Sequence, residues 1–163
     1  MDPSARLLAI EEIKQLKGCY FRFMDTKDWE GLRTIFCDDA VFDARAVLSI
    51  DPHNQAGRAA ESTGYIHRRG DAIADFIRGI VGSSRTVHRG YCHEVEIQSP
   101  DEASGVIAVE YRIWDDTGLK MTQGCGHYHE TYRRVDGRWR IHTSRIAHQA
   151  PLRLAGLGDR LNN

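Results

Sequence analysis

Three side chains in this sequence have the type and spacing to move a proton. Tyr20 falls on a helical stripe with Ile10, Ile13, Leu16 and Met24, which recur at three- and four-residue steps and so share one face at 3.6 residues per turn. A phenol on a buried stripe needs a hydrogen-bond partner. Asp25, about a turn and a half further on, brings a carboxylate to the same helix end. His88 opens the first long strand, and an imidazole titrating near neutrality can take a proton from carbon and return it to a leaving oxygen, which suits elimination or enolisation. Each residue has a structural alternative: a buried histidine donating to a backbone carbonyl, a core tyrosine, and a solvated acid or cap for the next helix.

The elements that must position these groups follow from periodicity and punctuation. Asp2 before Pro3 caps a first helix running to about Met24. Asp28 caps a second, with Leu32, Ile35 and Phe36 on its apolar face and Asp38-Asp39 as its stop. Residues 40–45 are short and rich in β-formers, which predicts a first strand. Residues 46–69 hold Pro52, Asn54, Gly57 and Gly64 without a sustained period, and are expected to form either a lid over a pocket mouth or a disordered loop. Gly70-Asp71 opens a third helix with Ile73, Phe76, Ile77 and Ile80 on one stripe. From Arg85 the pattern turns to strands over 87–97, 105–114, 120–134 and 138–147, the last two joined by the hairpin signal Asp136-Gly137. Helices first and strands afterwards predict an α+β fold, one domain over 1–163, with a curved antiparallel sheet wrapped as a cone around the helices.

Strand parity sorts the remaining polar residues. Val109, Tyr111 and Ile113 share a face, as do Gly126 and Tyr128, and Ser144, Ile146 and His148. His127 and His129 point the other way; two histidines at i and i+2 can ligate one metal, and with Glu130 they are similar to a cupin motif, but third and fourth ligands are missing at that spacing and no metal is expected. The outer face, with His127, His129, Thr131, Thr143, Arg145 and Trp114, is expected to join copies into a homodimer or higher oligomer. The 22 basic residues against 23 acidic ones leave a formal charge of −1, which excludes the basic field of a nucleic-acid binder. Cys19, Cys37, Cys92 and Cys125 lack a C-x-x-C pair and are expected to be reduced core thiols. No apolar run is long enough to span a membrane and no leader pattern opens the chain, so a cytoplasmic protein is expected. Phosphate loops, dinucleotide fingerprints and nucleophile elbows are absent, so cofactor-free chemistry is the expectation.

The run from Leu16-Lys17-Gly18 through Tyr20-Phe21-Arg22, Asp25, Lys27 and Trp29, then Asp38-Asp39-Ala40-Val41-Phe42-Asp43, Val87-His88-Arg89-Gly90 and His129-Glu130-Thr131-Tyr132 to Trp139, resembles the nuclear transport factor 2-like superfamily. Within it the chain is most similar to the SnoaL-like branch, which includes scytalone dehydratase and bile acid 7α-dehydratase, and the likeness spares only 46–69. The resemblance implies His88 as general acid or base, Tyr20 donating to a substrate carbonyl, and Asp25 orienting the histidine. Other positions depart from those enzymes. Ile113 stands where one has a second histidine, Tyr111 where the other has an aspartate, Ala44 where both have a tyrosine, Gly126 and Tyr128 at a serine and an asparagine, and His148 at an arginine. Met24, Ala44, Tyr111, Ile113, Tyr128 and His148 are therefore expected to line a site for a small apolar, aromatic or steroid-like ligand. The resemblance implies a cofactor-independent lyase or isomerase of dehydratase type. The alternative is a non-catalytic small-molecule-binding or scaffolding subunit, similar to the β subunit of aromatic-ring-hydroxylating dioxygenases.

Overall fold

The computed structural model describes residues 1–45 and 63–148 and, as backbone, the strand 153–156. Helix α1 spans Pro3–Thr26, with the Asp2 carboxylate accepting from the Ala5 N–H at 3.1 Å and Lys27 closing the helix at a left-handed φ of 62°. Its buried seam is Ala9, Ile13, Lys17, Tyr20, Phe21 and Met24. The expected stripe is thus rotated, because Ile10 and Leu16 are half-buried and Lys17 takes the inward place. Asp28 caps α2 (Trp29–Thr34) through the Gly31 N–H at 2.8 Å.

The second helix stops sooner than expected. Phe36 pairs with Ile141 instead of continuing the helical face, so strand β1 runs Phe36–Asp43 and Asp38-Asp39 sit inside it. Tertiary pairing of a β-forming aromatic has overridden a short amphipathic pattern. The irregular stretch also ends earlier than 69: a 3-10 turn, Thr63–Tyr65, leads into strand β2, Ile66–Arg68, antiparallel to β1. The remainder of the expected lid, 46–62, lies outside the described residues. Helix α3 spans Gly70–Val81 and buries Ile73, Ala74, Ile77 and Val81, while Ile80, expected inward, is 54% exposed.

Four long strands follow: β3 (Arg85–Ile97), β4 (Glu102–Trp114), β5 (Lys120–Val135) and β6 (Arg138–His148). The β5–β6 hairpin turns on Asp136 and Gly137, both at positive φ (52° and 75°), as an Asp-Gly turn requires. The sheet order is β2-β1-β6-β5-β4-β3, and a seventh strand, β7 (Arg153–Gly156), pairs with β5 beyond the end of β6. All pairings are antiparallel except β1 with β6, which is parallel. A bulge between Tyr91 and Glu94, with Cys92 at φ 49°, interrupts β3 and bends it, and the sheet stays open. The four cysteines are unpaired, but only Cys37 is buried in the core; Cys19 and Cys125 are half-buried and Cys92 is exposed at that bulge. No helix among the described residues is long and apolar enough to cross a membrane.

The inner face of the sheet carries the core against α1 and α3, with Phe42, Ile107, Val109, Tyr132 and Ile141 among its members. The outer face carries a groove of about 760 Å³ along two cross-strand rows. Asp43, Arg145, His129, Val106 and Glu94 form one; Val41, Thr143, Thr131, Ser104 and Glu96 form the other.

Candidate active site

Two short cross-strand rows on the inner face collect the groups able to do chemistry. His88, Tyr111 and Gly124 are register partners across β3, β4 and β5; Gly90, Val109, Gly126 and His148 are partners across β3 to β6. The end of α1 delivers Asp25 to the first row.

Asp25 holds His88 at two points. Its Oδ1 accepts from His88 Nδ1 at 2.6 Å and its Oδ2 from the His88 backbone N–H at 2.9 Å. Thr86 Oγ1 donates to Asp25 Oδ1 at 2.9 Å, and Lys27 Nζ donates to Thr86 Oγ1 at 3.1 Å and to the Val81 carbonyl at 2.8 Å. Burial pushes the Asp25 carboxyl up, but the hydrogen bonds and charge of His88 and the Thr86 hydroxyl together hold it below the usual carboxylate range. An ionised Asp25 can only accept, so Nδ1 carries a hydrogen, and in the neutral imidazole Nε2 bears the lone pair. That Nε2 has no hydrogen-bond partner among the described residues. Phe21 stacks on the imidazole at 6.1 Å between centroids and an interplanar angle of 9°. Gly90 makes room for this: a Cβ there would lie 2.2 Å from Phe21 Cε2.

Tyr111 lies beside His88, their ring centroids 5.9 Å apart. Its hydroxyl is 3.0 Å from His148 Nε2. Gly124 leaves the space for it, since a Cβ at that position would sit 2.4 Å from the phenolic oxygen. Burial pushes the phenol up to about 12 and lowers the imidazole of His148, so both are neutral at physiological pH. Among the described residues His148 Nδ1 is fully buried without a partner; Trp139 Nε1 and His67 Nε2 share that state elsewhere.

Of the other expected site residues, Met24 and Ala44 are buried and Ile113 is half-buried in the row of Thr86. Tyr20 and Tyr128 meet each other, hydroxyl to hydroxyl at 3.4 Å. No hydrogen bond or ring contact joins Tyr20 to His88; Phe21 touches both, edge-on to the phenol and stacked on the imidazole. The structure therefore gathers Asp25, His88, Tyr111 and His148, and sets Tyr20 and Tyr128 one ring away.

The sequence reading missed what those two tyrosines enclose. Lys17 Nζ, fully buried, donates to Glu130 Oε1 at 2.7 Å and lies 3.4 and 3.9 Å from the ring centroids of Tyr128 and Tyr20. Ser144 Oγ donates to Glu130 Oε1 at 2.7 Å and the Tyr132 hydroxyl to Oε2 at 2.6 Å. Burial lowers the Lys17 ammonium to about 8, with the charge and hydrogen bond of Glu130 opposing it. A signal was present: Lys17 is four residues after Ile13 and three before Tyr20, and Glu130 shares strand parity with Tyr128. No three metal-ligating side chains come together among the described residues.

Comparison with known proteins agrees with this architecture. The family model for the SnoaL-like domain matches residues 5–145. A protein of Gibberella zeae named Probable cyclase FGR4 is 27% identical over 139 residues, covering 82% of this chain and 87% of the relative. Among solved structures, a hexachlorocyclohexane dehydrochlorinase (LinA) Type2 superposes with a TM-score of 0.76 at 16% identity, covering 96% of this chain and 95% of the other. A scytalone dehydratase-like protein from Novosphingobium aromaticivorans DSM 12444 superposes with a TM-score of 0.75 at 16% identity, covering 95% and 91%. At those identities the two structures speak to the fold.

Proposed function

The chain belongs to the SnoaL-like domain family, and from that premise we propose that it is a cofactor-independent lyase or isomerase moving a proton on a small cyclic, aromatic or steroid-like substrate. The observation that carries the reading is the doubly anchored Asp25–His88 pair. His88 Nε2 takes the proton from carbon; Asp25 fixes the tautomer and stabilises the imidazolium that forms. Thr86 and Lys27 hold Asp25 in turn. In this reading Phe21 and Met24 of the core, with Ile113 packed against it, wall the site, which suits a ring rather than a phosphate-bearing substrate. Tyr20 and Tyr128 stand in this reading as the wall behind Phe21, their hydroxyls 3.4 Å apart and bonded to each other. The outer face, whose groove carries both Asp43, Glu94 and Glu96 and the bases Arg145 and His129, serves as the contact between copies.

A second reading, a binding or scaffolding subunit without turnover, is favoured by the tight burial of His88 and Tyr111, 7% and 8% exposed. One probe separates the two. In 5-nitrobenzisoxazole a base removes the C3 proton, the C–H pair becomes the third bond of a nitrile, the N–O bond breaks and its pair stays on oxygen as a coloured phenolate. The catalytic reading expects elimination faster than by free imidazole and lowered about 10²–10⁴-fold by His88→Ala, with the melting temperature held. Wild-type protein no better than imidazole, or a His88→Ala variant as fast as wild type, would leave the binding reading.

A further inference from the structure

The pair Tyr111–His148 has a polarity that its hydrogen bonding decides. Neutral His148 has one N–H, and Nδ1 is buried with no hydrogen-bond partner among the described residues. A buried N–H without an acceptor is rarer and costlier than a buried lone pair without a donor. The hydrogen therefore sits on Nε2 and points at the Tyr111 oxygen 3.0 Å away. The phenolic hydrogen must then go elsewhere, and the Tyr111 hydroxyl has no second partner among the described residues. It is a directed, uncommitted donor in the same cross-strand row as His88. The absence of side chains at Gly124 and Gly126 fits this: the first makes room for the phenolic oxygen, and a Cβ on the second would lie 2.2 Å from the Ala147 carbonyl, next to His148.

We infer that Tyr111 is a catalytic hydrogen-bond donor to the substrate oxygen on which negative charge develops, and that His148 is its positioning residue. The inference rests on the proton-transfer reading of His88 and completes it: base and donor face one substrate from adjacent strands, one taking the proton and the other receiving the charge. The ligand class follows: a ring bearing a carbonyl, or a leaving oxygen, one or two bonds from the acidic carbon. A neutral donor stabilises such an oxyanion without the counter-charge that an arginine or lysine would bring.

The test uses a series of benzisoxazoles with 5-nitro, 5-chloro and no substituent, whose leaving phenolates are progressively less stabilised. Tyr111→Phe should lower kcat about 10²–10³-fold with KM nearly unchanged. The loss should grow from the nitro to the unsubstituted compound, because a phenolate that cannot spread its own charge depends most on the donor. His148→Phe should reproduce part of the loss and the steeper dependence, and His148→Gln, whose amide can still donate, should restore some of it. Melting curves accompany every variant. An equal loss across the series, or none, overturns the inference. A second arm needs no turnover: titration with 2-cyano-4-nitrophenolate at pH 8 should show binding weakened about tenfold by Tyr111→Phe. If His88→Ala is as fast as wild type yet Tyr111→Phe loses the phenolate, the proton-transfer reading fails and the donor stands; if His88 is essential and Tyr111→Phe changes neither rate series nor affinity, the donor alone fails.

Discussion

Lys17→Met, Glu130→Gln and the double variant test whether the buried ion pair is a stabilising contact or a cost that the core has accommodated. The two side chains are fully buried and 2.7 Å apart, so solvent screens them little. Removing one partner leaves a buried charge whose remaining support is Ser144 and Tyr132 on the acid side, or aromatic faces on the base side. Each single variant should lose about 3–5 kcal/mol by urea unfolding at pH 7, whereas the double variant should lose no more than either single one, giving a coupling of at least about 3 kcal/mol. The pH dependence supplies a second measure. Lys17 releases its proton near 8 in the folded chain and near 10.5 in the unfolded one, so between those values the unfolded state binds more protons and stability rises with pH. The full gap is worth about 3 kcal/mol. Above about pH 10 the buried phenols Tyr20, Tyr111, Tyr128 and Tyr132, all raised by burial, reverse the trend, because the unfolded state gives up protons that the folded state keeps. Stability should therefore climb from pH 8 toward 10 and fall beyond, and the climb should vanish in Lys17→Met. A flat curve over that window, or a Lys17→Met variant within about 1 kcal/mol of wild type at pH 7, would refute the reasoning.

Two further outcomes are expected. Gly90→Ala should cost about 1–3 kcal/mol and slow benzisoxazole elimination, since the new methyl collides with Phe21 and drives that ring off His88; unchanged melting and rate would show that the stacked ring is free to shift. Sedimentation at micromolar concentration should give a homo-oligomer that Arg145→Glu dissociates, because the substitution puts a fourth acid among Asp43, Glu94 and Glu96 on the grooved face; a wild-type monomer would rule out the contact.

Much of the fold was legible because its signals are local. Alternation marked the long strands, Asp136-Gly137 marked their hairpin, and Asp2 and Asp28 each found the N–H their position promised. What failed were decisions made elsewhere in the chain. Phe36 reads as the inner face of a helix until Ile141 offers it a strand partner. Val81 and Ile80 are equivalent by type, and only the packing of α3 chooses between them. Lys17 is the sharpest case: periodicity counts apolar residues, and a lysine becomes a core residue only by virtue of a glutamate 113 positions away. At the site, parity put Tyr111 and His148 on inner faces, but their contact depends on Gly124 having no side chain, which no pattern announces.

The polar groups inside this sheet divide into two sets, and the division carries the functional argument. Lys17, Glu130, Ser144 and Tyr132 satisfy one another, with the remaining face of the ammonium turned to aromatic rings. Such a network has nothing left to offer a ligand, and its natural role is to fix the register of α1 against β5 and β6. The second set is saturated on one side only: Thr86 donates to Asp25, Asp25 accepts from His88, and His148 bonds Tyr111, while among the described residues His88 Nε2 has no partner and His148 Nδ1 is buried without one. Side-chain size along β5 separates the sets, falling from Tyr132, Glu130 and Tyr128 to Gly126 and Gly124 along one face. Where β5 is bulky the interior is closed by its own side chains; where it is bare the phenol and imidazoles of neighbouring strands lie across it with unspent hydrogen-bonding capacity. Unpaired buried polar atoms cost stability, and on the proposed reading His88 Nε2 and the Tyr111 hydroxyl are left unsatisfied by the chain because a ligand meets them.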